Sequence, residues 1–134
     1  MVRVREWRER CSTRPFIKWV DQAKHDIALL EQAIASRDFE LFAATAEHNA
    51  MTMHATMLSA WPPLLYWQPQ SVEALQQVWS LRKQGVGVYV TMDAGPNLKL
   101  LFLQSSAAAV GEHFPSLRVH VPFPGADAPR PLCG

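Results

Sequence analysis

The apolar residues of this chain switch from a helical to a strand period at Gly85, and that change constrains the fold more than any other feature. Before Gly85 they recur at spacings of three and four, the signature of helices with one buried face. After it they alternate at a spacing of two, the signature of strands. Helices followed by a small hairpin predict the α+β class, with the helices packed on one face of a small antiparallel sheet.

Phe16, Val20, Ala23, Ile27, Leu30 and Ile34 predict a first helix over 15–35. Ser12 or Thr13 can cap it, and Pro15 suits an early helical position. Ser36-Arg37-Asp38 interrupts the pattern. Phe39, Phe42, Ala43, Ala46, Ala50, Met53 and Met57 then form the broad face of a second helix. It must stop before Trp61-Pro62-Pro63, because proline has no N–H and restricts the residue before it. The short link predicts an antiparallel helix pair. Residues 61–69 read as an ordered loop. Ser71 reads as an N-cap with Glu73 in the first turn, and Val72, Leu75, Val78, Trp79 and Leu81 give the third helix its apolar face. Gly85 ends it.

Val86, Val88, Val90 and Met92 alternate with Gly87, Tyr89, Thr91 and Asp93. Ala94-Gly95-Pro96-Asn97 is a turn, and 98–103 is the returning strand. Lys99 is its only charge, so it is expected to be largely buried. Ser105 or Ser106 can cap a short helix through Phe114, and 117–121 reads as a third strand. The domain is expected to span 13–122, between an N-terminal arm (1–12) and an irregular, proline-rich tail (123–134).

A chain of 134 residues is one domain's worth, long enough to bury a core. A formal net charge of +1 gives no field that would select nucleic acid or a membrane surface. No apolar run reaches the length of a membrane span, and no leader pattern precedes the first helix. Cys11 and Cys133 have neither CxxC nor zinc spacing, so a cytoplasmic setting with reduced thiols is expected, with a Cys11–Cys133 disulfide as the minor alternative. The arm Met1 to Arg10 is basic but carries glutamates. It reads as a solvated arm or short irregular strand, with an RNA contact as the sharper alternative.

Two segments carry chemistry. One is Glu47-His48-Asn49-Ala50-Met51-Thr52-Met53-His54-Ala55-Thr56-Met57, running on into Trp61-Pro62-Pro63. The other is Thr91-Met92-Asp93-Ala94-Gly95-Pro96-Asn97. Locally, Asp93 could make an Asx-type turn at a hairpin tip, or act as a general base towards a hydroxyl within hydrogen-bond reach. His48 and His54 are six apart and do not share a helix face, and no HxH or HExxH occurs, so no metal site is expected. Met51, Met53 and Met57 read as core filler. The six glycines are scattered, and none forms a phosphate-cradling loop at the start of a helix.

Together with Phe16-Ile17-Lys18-Trp19-Val20, these segments resemble the mevalonate diphosphate decarboxylases of the GHMP kinase superfamily, over residues 11–121. The resemblance implies the ferredoxin-like C-terminal domain of that superfamily, lacking its first strand. It implies a family activity in which ATP and mevalonate 5-diphosphate give isopentenyl diphosphate, carbon dioxide, ADP and phosphate. Asp93 would then orient or deprotonate the C3 hydroxyl, with Ala94, Gly95, His54 and Thr56 near the substrate. ATP and magnesium would be bound mainly by an N-terminal domain not found in this sequence, so no cofactor is expected in this chain and no activity from it alone. The expected partners are a second copy of the chain, because a lost domain uncovers apolar surface, or a separate chain carrying the ATP domain. The alternative is a non-catalytic binding or oligomerisation module derived from the same domain.

Overall fold

The computed structural model describes residues 14–121. The expected arm, the tail, both cysteines and the caps at Ser12 and Thr13 lie outside the described residues. Helix α1 runs Arg14–Ser36, α2 Phe39–Leu58 and α3 Pro69–Lys83. Strands β1 (Val88–Met92) and β2 (Leu98–Phe102) follow. A 3-10 turn, Gln104–Ser106, then leads into the short helix α4, Ala107–His113. Four helices packed with a two-stranded antiparallel sheet make the expected α+β class.

Helix α1 lies against α2, and α2 in turn lies against β1. The link between α1 and α2 is tight: Asp38 N–H reaches Ala33 O at 2.9 Å and Arg37 N–H reaches Ile34 O at 3.2 Å. Arg37 takes the left-handed conformation (φ 56°) that glycine usually fills at such a stop. Asp38 then caps α2, its side chain accepting from Leu41 N–H at 3.0 Å.

The buried side of α1 differs from the expected one. Ile27 and Ile34 are 57% and 65% exposed, while Asp26 and Ala33 are both at 1%. The buried line is displaced by one residue, about 100° around the helix. Polar pairing sets this choice. Asp26 accepts from Asn49 Nδ2 of α2 at 2.9 Å and from Gln22 Nε2 at 2.8 Å, which satisfies its carboxylate inside the helix interface.

Helix α2 is buried on more than one side, at Ala43, Thr45, Glu47, Ala50, His54, Thr56 and Met57, because it is sandwiched. It stops before the prolines, as expected, and residues 59–68 form an irregular loop. The core joins Leu75, Val78 and Leu81 of α3 to Val88 and Val90 of β1 and Val110 of α4. The expected α3 face is thus buried at three positions, whereas Val72 and Trp79 sit exposed on its flanks. Gly85, at φ 90°, ends α3, with Val86 N–H reaching back to Leu81 O at 3.1 Å.

In the hairpin Val88 faces Phe102, Val90 faces Leu100 and Met92 faces Leu98. Strand β1 is buried at Val88, Tyr89 and Val90. Strand β2 is only half-buried, short of the expectation, because among the described residues it lies at the edge of a two-stranded sheet. The expected third strand over 117–121 is not formed. Leu117 turns back, its N–H bonding Phe114 O at 3.0 Å, and its side chain joins the core. Val119 and Val121 are left exposed. Alternation supplies a pattern, but a strand also needs an edge to bond to.

The β1 edge facing away from β2 is closed by side chains. Glu47 of α2 accepts from Val90 N–H at 2.8 Å, and Arg82 of α3 donates to Val88 O through Nε at 3.1 Å and Nη2 at 3.0 Å. The two residues pair at 2.6 and 3.0 Å, and the Arg82 guanidinium lies 4.2 Å over the Tyr89 ring. Among the described residues this side-chain fork engages Val88 O and Val90 N–H, where a neighbouring strand would otherwise bond.

Candidate active site

The candidate site is the turn that follows β1. Asp93 comes directly after Met92, a fully packed strand residue, so its backbone is mounted on the core. Its side chain points away from that core and is 86% exposed. One carboxylate oxygen accepts from Lys99 Nζ at 2.6 Å. Lys99 stands opposite Thr91 in the register, on the returning strand. Both charged groups face solvent, so the pair contributes little to stability, on the order of 0–1 kcal/mol.

The backbone of the turn is held more firmly than the carboxylate. Asp93 O accepts from Gly95 N–H at 2.8 Å and meets His54 Nε2 at 3.1 Å. A carbonyl only accepts, so Nε2 carries the proton in this contact. His54 is 2% exposed and lies between Tyr66, edge-on at 6.5 Å, and Trp67, tilted at 5.4 Å. Burial pushes its pKa down, against the opposing pull of the Asp93 hydrogen bond. Neutral imidazole is therefore the form that fits near pH 7.

Ser71 holds the other end of the turn. It is not the N-cap of α3, as the sequence suggested, because the helix begins two residues earlier at Pro69, with Gln68 as the cap. From the first turn its hydroxyl accepts from Gln68 N–H at 3.2 Å and donates to Pro96 O at 3.1 Å.

The remaining sequence candidates fall as follows. Ala94 is exposed on the turn. Gly95 has nothing within 4 Å of where a Cβ would stand, so the packing of this chain does not itself demand glycine there. Thr56 is buried and donates its hydroxyl to Thr52 O at 2.9 Å. The structure thus brings His54, Asp93 and Gly95 together, while the Thr56 hydroxyl is spent within its own helix. Sequence reasoning missed Lys99 and the bond from Ser71 to the turn. The hairpin register could have pointed to Lys99, but nothing local distinguishes Ser71 from a cap. His48 sits on another side of α2, its Nδ1 3.7 Å from the Asp26 carboxylate.

The Asp93 carboxylate stands on the surface of the described domain. A shallow apolar concavity of about 270 Å³ lies at the other end of α2, lined by Ala33, Ile34, Arg37, Asp38, Phe39 and Phe42. The twelve residues of helix from Phe42 to His54 place the turn roughly 18 Å further along the axis.

A helical α+β domain that presents a carboxylate on a braced hairpin turn defines the class. Comparison with known proteins identifies the family within it. The family described as the mevalonate 5-diphosphate decarboxylase C-terminal domain matches residues 10–120, and the chain belongs to it. It is similar to the diphosphomevalonate decarboxylase of Aspergillus fumigatus, 34% identical over 87 residues, covering 63% of this chain and 21% of that protein. Among solved structures, the mevalonate diphosphate decarboxylase of Enterococcus faecalis superposes with a TM-score of 0.77 at 32% identity, over 84% of this chain and 36% of that one. The mevalonate pyrophosphate decarboxylase of Streptococcus pyogenes gives 0.73 at 36% identity, over 81% of this chain and 34% of that one. The chain therefore spans about a fifth of the length of the first and about a third of the solved chains.

Proposed function

We propose that this domain contributes the Asp93 carboxylate to ATP-dependent decarboxylation of mevalonate 5-diphosphate, acting beside a separate domain that binds the nucleotide. The observation that carries the reading is the contrast within the turn: a backbone fixed to the core through Asp93 O, and a carboxylate left 86% exposed. Within hydrogen-bond reach of the tertiary hydroxyl of the substrate, that carboxylate would orient the O–H and accept its proton as the oxygen is phosphorylated. The open space at Gly95 lets a substrate come close to the backbone. Ala94 and Thr56 are the other substrate-proximal residues of this reading, and His54, also proximal, acts from beneath the turn through the Asp93 backbone.

ATP, the second substrate, does not suit the starts of the two helices that flank the turn. Helix α2 opens on the Asp38 carboxylate with Glu40 in its first turn, which repels phosphate. Helix α3 opens on Pro69, which has no N–H to offer. This supports binding of ATP and magnesium outside this chain, so we assign the chain no cofactor of its own and no turnover in isolation. A relative 36% identical to this chain has been solved in complex with MVAPP, AMPPCP and magnesium. A cytoplasmic setting goes with phosphorylated substrates. Among the described residues no helix is long and apolar enough to cross a membrane.

The test mixes the purified chain with the nucleotide-binding domain of a relative and follows carbon dioxide release from mevalonate 5-diphosphate and ATP. Release on mixing, absent from either part alone and lost in Asp93→Asn, is the expected result. Release that survives Asp93→Asn would remove Asp93 from the chemistry. A second reading, a non-catalytic module that forms homodimers, is favoured by the exposed apolar flank at Ile27 and Ile34. It predicts sedimentation as a dimer that Ile34→Lys returns to monomer, with no release on mixing.

A further inference from the structure

We infer that His54 and Ser71 are paired positioning residues that hold the Asp93 turn at a fixed height above the core. The inference rests on Asp93 being the reacting carboxylate, but its evidence is separate from any chemistry. Each residue comes from a different helix, α2 or α3, and each reaches the same short turn. His54 grips the carbonyl at the start of the turn, at 3.1 Å, and Ser71 grips the carbonyl of Pro96, three residues on, at 3.1 Å. Both are buried, at 2% and 4% exposure, so neither side chain is free to wander. The Tyr66 and Trp67 rings pack against the imidazole, and the Ser71 hydroxyl is oriented by Gln68 N–H.

Hairpin strands alone would fix only the feet of this turn. The residues 93–97 between them span the interval where the ladder has ended. A general base loses much of its effect when displaced by about 1 Å, so the turn needs bracing that the ladder does not supply. Two side-chain donors aimed at backbone carbonyls provide it and leave the Asp93 carboxylate itself unengaged by either helix. His54 thus acts through the backbone of Asp93 and not on the substrate.

The experiment measures backbone ¹⁵N order parameters of the full chain, with no substrate present. Ala94 and Gly95 are expected near the rigid value of about 0.85 in the wild type and below about 0.6 in His54→Leu and in Ser71→Ala, while Val90 stays rigid. His54→Gln keeps a donor at the same reach, and Ser71→Thr keeps the hydroxyl. Both should return the turn towards the rigid value. Global stability does not move this readout in the folded state, so a purely structural role would leave the turn rigid. If His54→Leu does not fold, His54→Asn, which keeps a polar group but loses the reach, takes its place. A turn that stays rigid in either disruptive variant, or that loosens together with Val90, overturns the inference. If mixing yields no carbon dioxide while the order parameters behave as expected, the enzymatic reading fails and the bracing stands.

Discussion

Glu47 and Asp93 both meet strand β1, one at its middle and one at its end, and the fold treats their carboxylates in opposite ways. Glu47 is 9% exposed and spends both oxygens on donors: Val90 N–H, the Arg82 fork and Trp79 Nε1 at 3.2 Å. Among the described residues the Asp93 carboxylate is bonded by Lys99, and it stands in solvent. A buried carboxylate is tolerable only when its lone pairs are filled, so Glu47 has no capacity left for a ligand. An exposed one costs the fold little and keeps its capacity. The difference separates a carboxylate that closes the sheet edge from one available to a substrate, although both are acidic residues beside the same strand.

Removing each carboxylate should therefore break different things. Glu47→Ala leaves Val90 N–H without its acceptor and the Arg82 guanidinium without its counter-charge, with only Val88 O still accepting from it. A loss of about 3–5 kcal/mol is expected in urea unfolding. A loss under about 1 kcal/mol would mean that water replaces the fork and that the edge is not closed by it. Asp93→Asn should do the reverse: stability within about 0.5 kcal/mol of the wild type, with decarboxylation by the reconstituted pair down roughly 10²–10⁴-fold. Equal damage to folding and turnover would erase the distinction.

His54 offers a smaller effect with a definite sign. Its native pKa lies below the ordinary 6.5, so the unfolded chain takes up the proton first as pH falls. Its contribution to stability is complete above 6.5 and is lost as pH drops from 6.5 towards the lowered native value. His54→Gln should flatten that part of the pH–stability curve. Coincident slopes for variant and wild type below 6.5 would show that burial of the imidazole is not felt. The smallest stability effect belongs to Gly95→Ala. The space at its Cβ is empty, so the melting temperature should barely move. Any fall in turnover of the mixed domains would then report close approach of substrate, whereas unchanged turnover would show that no ligand comes near this backbone.

The sequence by itself determined the four helices, the hairpin and their order, because each depends on local rules: apolar spacing, prolines after α2 and a glycine after α3. It also placed Asp93 on the turn of a known family motif, since that motif is contiguous. Tertiary structure decided which flank of α1 is buried, because Asp26 needed Asn49 from another helix. It decided that 117–121 does not pair, since alternation cannot provide an edge. It joined Glu47 to Arg82 across 35 residues and Ser71 to Pro96 across 25, distances at which no sequence period has anything to say. Hydrogen-bond capacity is carried by each residue, but the partner that fills it is fixed only when the packed elements bring two residues together.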